Sequence, residues 1–179
     1  MLQALKKRKE NIAEYILYLY QVEDLIRAFD LDIELINEKL IPVYRTDKVT
    51  SDKISDWYKN LILMMEKEGK NEKGHLQFLS NLIADLNEFH IKLMETEVVK
   101  NYNSVFNEVS GLLAELHQKN QNAESVVQVG LDGVYGYLIL KIHKRKISSA
   151  TEDAIKRMSY WLGFLSNLYK DFENGKLEF

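Results

Sequence analysis

LQALKKRKENIAEYILYLYQVEDLIRAF, residues Leu2–Phe29, decides the fold. One stripe through it is apolar: Ile12, Tyr15, Leu19, Val22, Ile26 and Phe29, in steps of three and four. The other is mostly polar: Glu10, Glu14, Leu17, Gln21, Asp24 and Ala28. At about 100° per residue the two stripes lie on nearly opposite faces of a helix. Ile16, Tyr20 and Leu25 add apolar character round the sides. A helix apolar over more than half its circumference sits inside a bundle rather than on its outside.

The same 3-4 periodicity continues down the chain. Asp30 and Asp32 are N-cap candidates for a second helix with Ile33, Ile36 and Leu40 on its apolar face, and Pro42 should end or kink it. Arg45–Thr50 reads as a loop, and Ser51 as the N-cap of a third helix. That helix carries Ile54, Trp57, Tyr58, Leu61, Ile62 and Met65, and Gly69 stops it. After a charged turn over Lys70–Gly74, a fourth helix presents Leu76, Leu79, Leu82, Ile83, Leu86, Phe89 and Leu93. A fifth spans about Glu97–His117, with asparagines that favour a later start. Lys119–Ala123 is a polar loop. A sixth helix, about Glu124–Lys144, is so apolar from Val126 to Ile142 that it is expected to be the most buried element. Ser149 with Glu152 forms a capping box for a seventh, which ends near Gly175. No period-2 stretch or convincing repeat occurs. The expectation is an all-α, single-domain (residues 1–179) up-down helical bundle of about six to seven helices.

Composition agrees. With 46% hydrophobic and 28% charged residues in 179, the chain can fold round a core that buries about 70% of the unfolded surface. One proline and eight glycines are too few to break many helices. Zero cysteines exclude disulfides, thiolate metal sites and a cysteine nucleophile. The apolar run Ile16–Tyr20 is too short for a signal peptide, and no membrane-length apolar stretch follows. A cytoplasmic protein without membrane contact is expected. A net charge of −3 argues against general nucleic-acid binding.

No catalytic signature stands out, and no catalytic residue, metal ligand or cofactor is assigned. The nearest candidate for a ligand site is the polar side of the first helix: Glu14, Gln21, Glu23, Asp24 and Arg27. Glu23 is the odd residue, because it projects among Ile12, Ile16 and Leu19. A buried carboxylate needs a partner, and Arg27 at i+4 is the local choice. Helical di-metal sites need two Glu-x-x-His units; only Glu72–His75 has that spacing, and it straddles Gly74. Gly130, Gly133 and Gly136 make a smooth groove for close helix packing, with either the same chain or a second copy as partner. They do not form a dinucleotide fingerprint, which needs a preceding strand. Two basic clusters, Lys6–Lys9 and Lys141–Lys146, read first as solvated helix ends. The ten tyrosines read as core residues with hydroxyls seeking partners, one of them suited to a dimer interface. The apolar surface of the first and sixth helices points to a protein that acts through contact, including self-association as a homo-oligomer.

The stretches RKENIAEYILYLYQVEDLIRAFDLDI (Arg8–Ile33), WYKNLILMMEKEGKNEKGHLQ (Trp57–Gln77) and YGYLILKIHKRKIS (Tyr135–Ser148) resemble an all-helical bacterial family of unknown function. The resemblance implies a cytoplasmic bacterial protein and carries no activity, cofactor or catalytic residue to any position.

Overall fold

The computed structural model describes residues 2–119 and 121–179; Asn120, within the expected Lys119–Ala123 loop, lies outside them. Its first feature is a break in the opening helix. Asn11 adopts extended backbone and its side chain accepts the Glu14 N–H at 3.0 Å, so α1 (Leu2–Glu10) ends and α2 (Ile12–Ala28) begins there. A short polar side chain that bonds its own backbone competes with the helix ladder, which bends the run expected to be continuous. The buried face of α2 is Ile12, Ala13, Ile16, Leu19, Tyr20, Val22, Glu23 and Ile26. It lies to one side of the expected stripe: Tyr15 and Phe29 are only part-buried, whereas Ile16 and Tyr20 are core.

Asp30 and Leu31 then take left-handed conformations, and Asp32 caps the single turn α3 (Ile33–Leu35) through Glu34 N at 2.8 Å. The chain widens into a π turn over Ile36–Leu40, where Ile41 N–H reaches back to Ile36 O, and tightens into a 3-10 turn over Ile41–Tyr44. Pro42, without an N–H to donate, sits at the start of the 3-10 turn, where the helical pairing changes register, and left-handed Arg45 ends the turn. Helix α4 (Lys48–Lys67) is capped by Asp47 rather than Ser51, because the Asp47 carboxylate reaches Thr50 N at 3.0 Å. Gly69 takes the left-handed stop. Helix α5 spans Gln77–Thr96, and α6 (Tyr102–Lys119) starts later than Glu97, which itself is left-handed. Helix α7 spans Val126–Ile142 with Ser125 as its cap. Helix α8 (Ser149–Glu173) is capped by Ser148, one residue before the predicted box. Among the described residues there are eight α-helices and no strand.

Buried residues from α2, α4, α5, α6, α7 and α8 form one hydrophobic cluster, with Trp161, Tyr20, Tyr58 and Tyr102 its largest enclosed side chains. The Trp161 indole N–H donates to the Tyr102 hydroxyl at 3.2 Å, and Tyr102 lies 2.7 Å from His90 Nδ1. This ties α5, α6 and α8 together. Burial pushes the His90 imidazole down to about 4.

Helix α7 corrects one expectation. Its first half is enclosed at Val127, Val129, Gly130, Leu131 and Val134, but Leu140 is 42% and Ile142 66% exposed. It is therefore not the most buried element; α2 encloses more of its length. A Cβ at Gly130 would meet Trp161 Cζ3 at 2.9 Å, and one at Gly133 would meet Leu116 Cδ1 at 3.0 Å. The neighbours there are α6 and α8 of the same chain. At Gly136 a Cβ would meet nothing within 4 Å, so the third glycine does not serve close packing. It lines an apolar groove of about 510 Å³ between α6, α7 and α8, together with Leu112, Tyr137, Leu140, Ala154 and Met158.

Candidate functional site

Helix α2 carries Glu23 into the interior, where it is 1% exposed. The loop between α4 and α5 comes to meet it. Glu23 Oε1 accepts Leu76 N at 2.9 Å, and Oε2 lies 2.6 Å from His75 Nδ1. Leu76 immediately precedes α5 and has no side-chain cap of its own. Glu23 therefore supplies from another helix the negative charge and the acceptor that a helix start lacks. A buried carboxylate in turn needs such charge-assisted donors to offset its desolvation.

Arg27, one turn further along α2, does not pair with Glu23. Its guanidinium donates to Lys70 O from Nε and Nη2 at 3.2 Å, to Gly74 O, and to Asp24 Oδ1 at 2.9 Å. The other Asp24 oxygen accepts the Tyr135 hydroxyl from α7. The loop explains this division. It brings an N–H and an imidazole to Glu23 and bare carbonyls to Arg27, and an i,i+4 pair would leave both sets unsatisfied.

The His75 ring is held on a second side. It stacks on Tyr20 with centroids 3.6 Å apart and planes 12° from parallel, while Tyr135 meets Tyr20 edge-on at 5.4 Å. The Tyr20 hydroxyl is buried without a hydrogen-bond partner. Burial, then the negative charges of Asp132 and Glu23, push its phenol upward, so it stays protonated. With Nδ1 turned to Glu23, the His75 Nε2 has no partner among the described residues, and the side chain is 27% exposed. His75 lines a cleft of about 400 Å³ walled by the loop residue Lys70, by Gln77, Ser80, Asn87 and Glu88 of α5, and by Glu124, Ser125 and Gln128 at the start of α7. The Asn87 Oδ1 atom is buried with no donor.

Of the residues singled out on the first helix, the structure gathers Glu23, Asp24 and Arg27 under this loop. Glu14 and Gln21 lie elsewhere. Glu14 is exposed and bonded to Lys7 Nζ at 2.7 Å, and both residues line a separate depression with Leu17 and Leu138. Sequence reasoning weighed His75 only as half of a metal motif with Glu72, and Lys70, Asn87 and Gln128 not at all. Nothing in a charged turn announces that its histidine is anchored. Among the described residues no group of three or more His, Cys, Asp or Glu could hold a metal ion. The first basic cluster is largely engaged: Arg8 holds Glu173 through two bonds at 2.7 and 3.0 Å, besides the Lys7–Glu14 pair.

Fold and site together define an all-α protein with a buried carboxylate that orients a histidine at the edge of a polar cleft. The chain belongs to the family described as Domain of unknown function (DUF4924), matched over residues 1–176. No curated protein and no solved structure matches it. No helix among the described residues is long and apolar enough to cross a membrane.

Proposed function

We propose that this is a helical binding protein whose cleft holds a small polar ligand on His75. One observation carries the reading. His75 is fixed at Nδ1 by a buried carboxylate and on one face by Tyr20, while its Nε2 has no partner among the described residues and the residue lines the cleft. The loop is held besides by Leu76 N on Glu23 and by the Arg27 bonds to Lys70 O and Gly74 O. An imidazole pre-oriented at one nitrogen is suited to bind through the other.

A thermal-shift screen of small polar compounds tests it. A ligand that binds only the folded state at about 100 times its Kd adds about 2.7 kcal/mol, which raises Tm by roughly 5–10 °C in a chain of this size. The shift should vanish in His75→Ala. A ligand that shifts both proteins equally would place binding elsewhere.

The half-exposed end of α7 favours a second reading, self-association. Leu140 lines the apolar groove beside the open Gly136, and Ile142 is exposed at the same end of the helix, a surface that a second copy would cover. Sedimentation equilibrium at micromolar concentration should then show a dimer, and a monomer at every concentration would remove this reading. A bacterial, cytoplasmic setting belongs to the same proposal; the cysteine-free chain is compatible with it.

A further inference from the structure

We infer that the His75 cleft selects a small organic cation, an alkylammonium or a guanidinium. This rests on the reading of His75 as a ligand-binding group and adds the class of ligand. The charged side chains on the walls of the cleft are two carboxylates and one ammonium. The buried Glu23 carboxylate accepts the Nδ1–H of His75, and with the proton on Nδ1 alone the imidazole presents Nε2 as an acceptor. The Asn87 amide also lines the cleft, with its Oδ1 buried beneath the surface and without a donor. Glu88 on α5 and Glu124 before α7 stand on different walls, and neither has an ion-pair partner among the described residues. Against these the cleft offers one cation, Lys70, whose ammonium lies against Gly74. An anion would meet two carboxylates and an imidazole lone pair. A cation with several N–H donors would donate to His75 Nε2 and gain from both carboxylates. The cleft, about 400 Å³, admits a ligand of a few heavy atoms and excludes a folded chain.

The test titrates the full chain with putrescine and with methylguanidinium, and in parallel with phosphate, acetate and glucose. Calorimetry gives affinity, and the nitrogen resonances of the His75 ring report location. The two cations should bind and move Nε2. Their affinity should fall by about tenfold or more in the double variant Glu88→Gln/Glu124→Gln, whose exposed positions leave the fold intact. The Tm of that variant verifies folding. Phosphate, acetate or glucose moving the His75 ring while the cations do not would overturn the choice of ligand class and leave His75 as a binding group. Cation affinity unchanged in the folded double variant would overturn it as well. If no probe of any class moves the ring, the binding role of His75 fails, and the cation inference fails with it.

Discussion

Replacing Glu23 by Ala removes two bonds at once, and the structure sets the size of the loss. Leu76 is fully buried, so its N–H loses its acceptor where water cannot replace it, at about 1–3 kcal/mol. The 2.6 Å contact with His75 Nδ1 is charge-assisted and adds about 1.5–3 kcal/mol. Removing the buried carboxyl also removes its own desolvation cost, which lowers the sum, so the expected net destabilisation is about 2–4 kcal/mol. Single and double variants of Glu23 and His75, each unfolded in urea, separate the shared part. The coupling should be about 1.5–3 kcal/mol, because only the Nδ1 bond is common to both side chains. Glu23→Gln should keep the Leu76 bond and lose mainly the His75 term. A Glu23–His75 coupling below about 0.5 kcal/mol would refute the pairing, since contacts of that size are typical of solvated surface pairs.

Acid should weaken the protein through His90. Its folded value, about 4, lies below the ordinary 6.5, so the unfolded chain takes up the proton first as pH falls. Stability from this group is complete above pH 6.5 and is lost between 6.5 and about 4, to a total of about 3 kcal/mol. Urea unfolding at several pH values should show this slope in the wild type and lose it in His90→Gln. Gly130→Ala should destabilise by about 1–3 kcal/mol, because its Cβ would press on the enclosed Trp161 ring. Gly136→Ala, with open space around it, should instead stabilise α7 by up to about 1 kcal/mol, and thermal melts of the two variants should move in opposite directions.

The helical class was legible because the 3-4 spacing of apolar residues recurs along nearly the whole chain, broken only by short polar or glycine-containing turns and by Pro42. Stops at Gly69 and Gly175 and the cap at Asp32 were legible for local reasons: a left-handed backbone favours glycine, and a short carboxylate reaches its own helix start. Caps shifted where neighbours compete. Asp47 displaced Ser51 by capping one turn earlier, and Ser148 displaced its neighbour Ser149, because any short polar side chain ahead of a helix can accept one of its free N–H groups. Asn11 was hidden for the same reason, as a capping residue inside a run that reads as continuous helix. At the site, Glu23 announced itself as a carboxylate on an apolar face that needed a partner. The partner did not, because His75 is 52 residues away and Arg27 offered a local answer. Apolar periodicity places helices; it does not say which loop crosses a given face.

The protonation of the His75 ring tests the central claim most directly. Nitrogen correlation spectra at about pH 8.5, where an ordinary histidine is neutral, distinguish the two tautomers. If Glu23 holds Nδ1, the ring carries its proton there, leaves Nε2 bare, and loses this preference in Glu23→Gln. A proton on Nε2, or the averaged tautomers of a free imidazole unaffected by Glu23→Gln, would contradict the account.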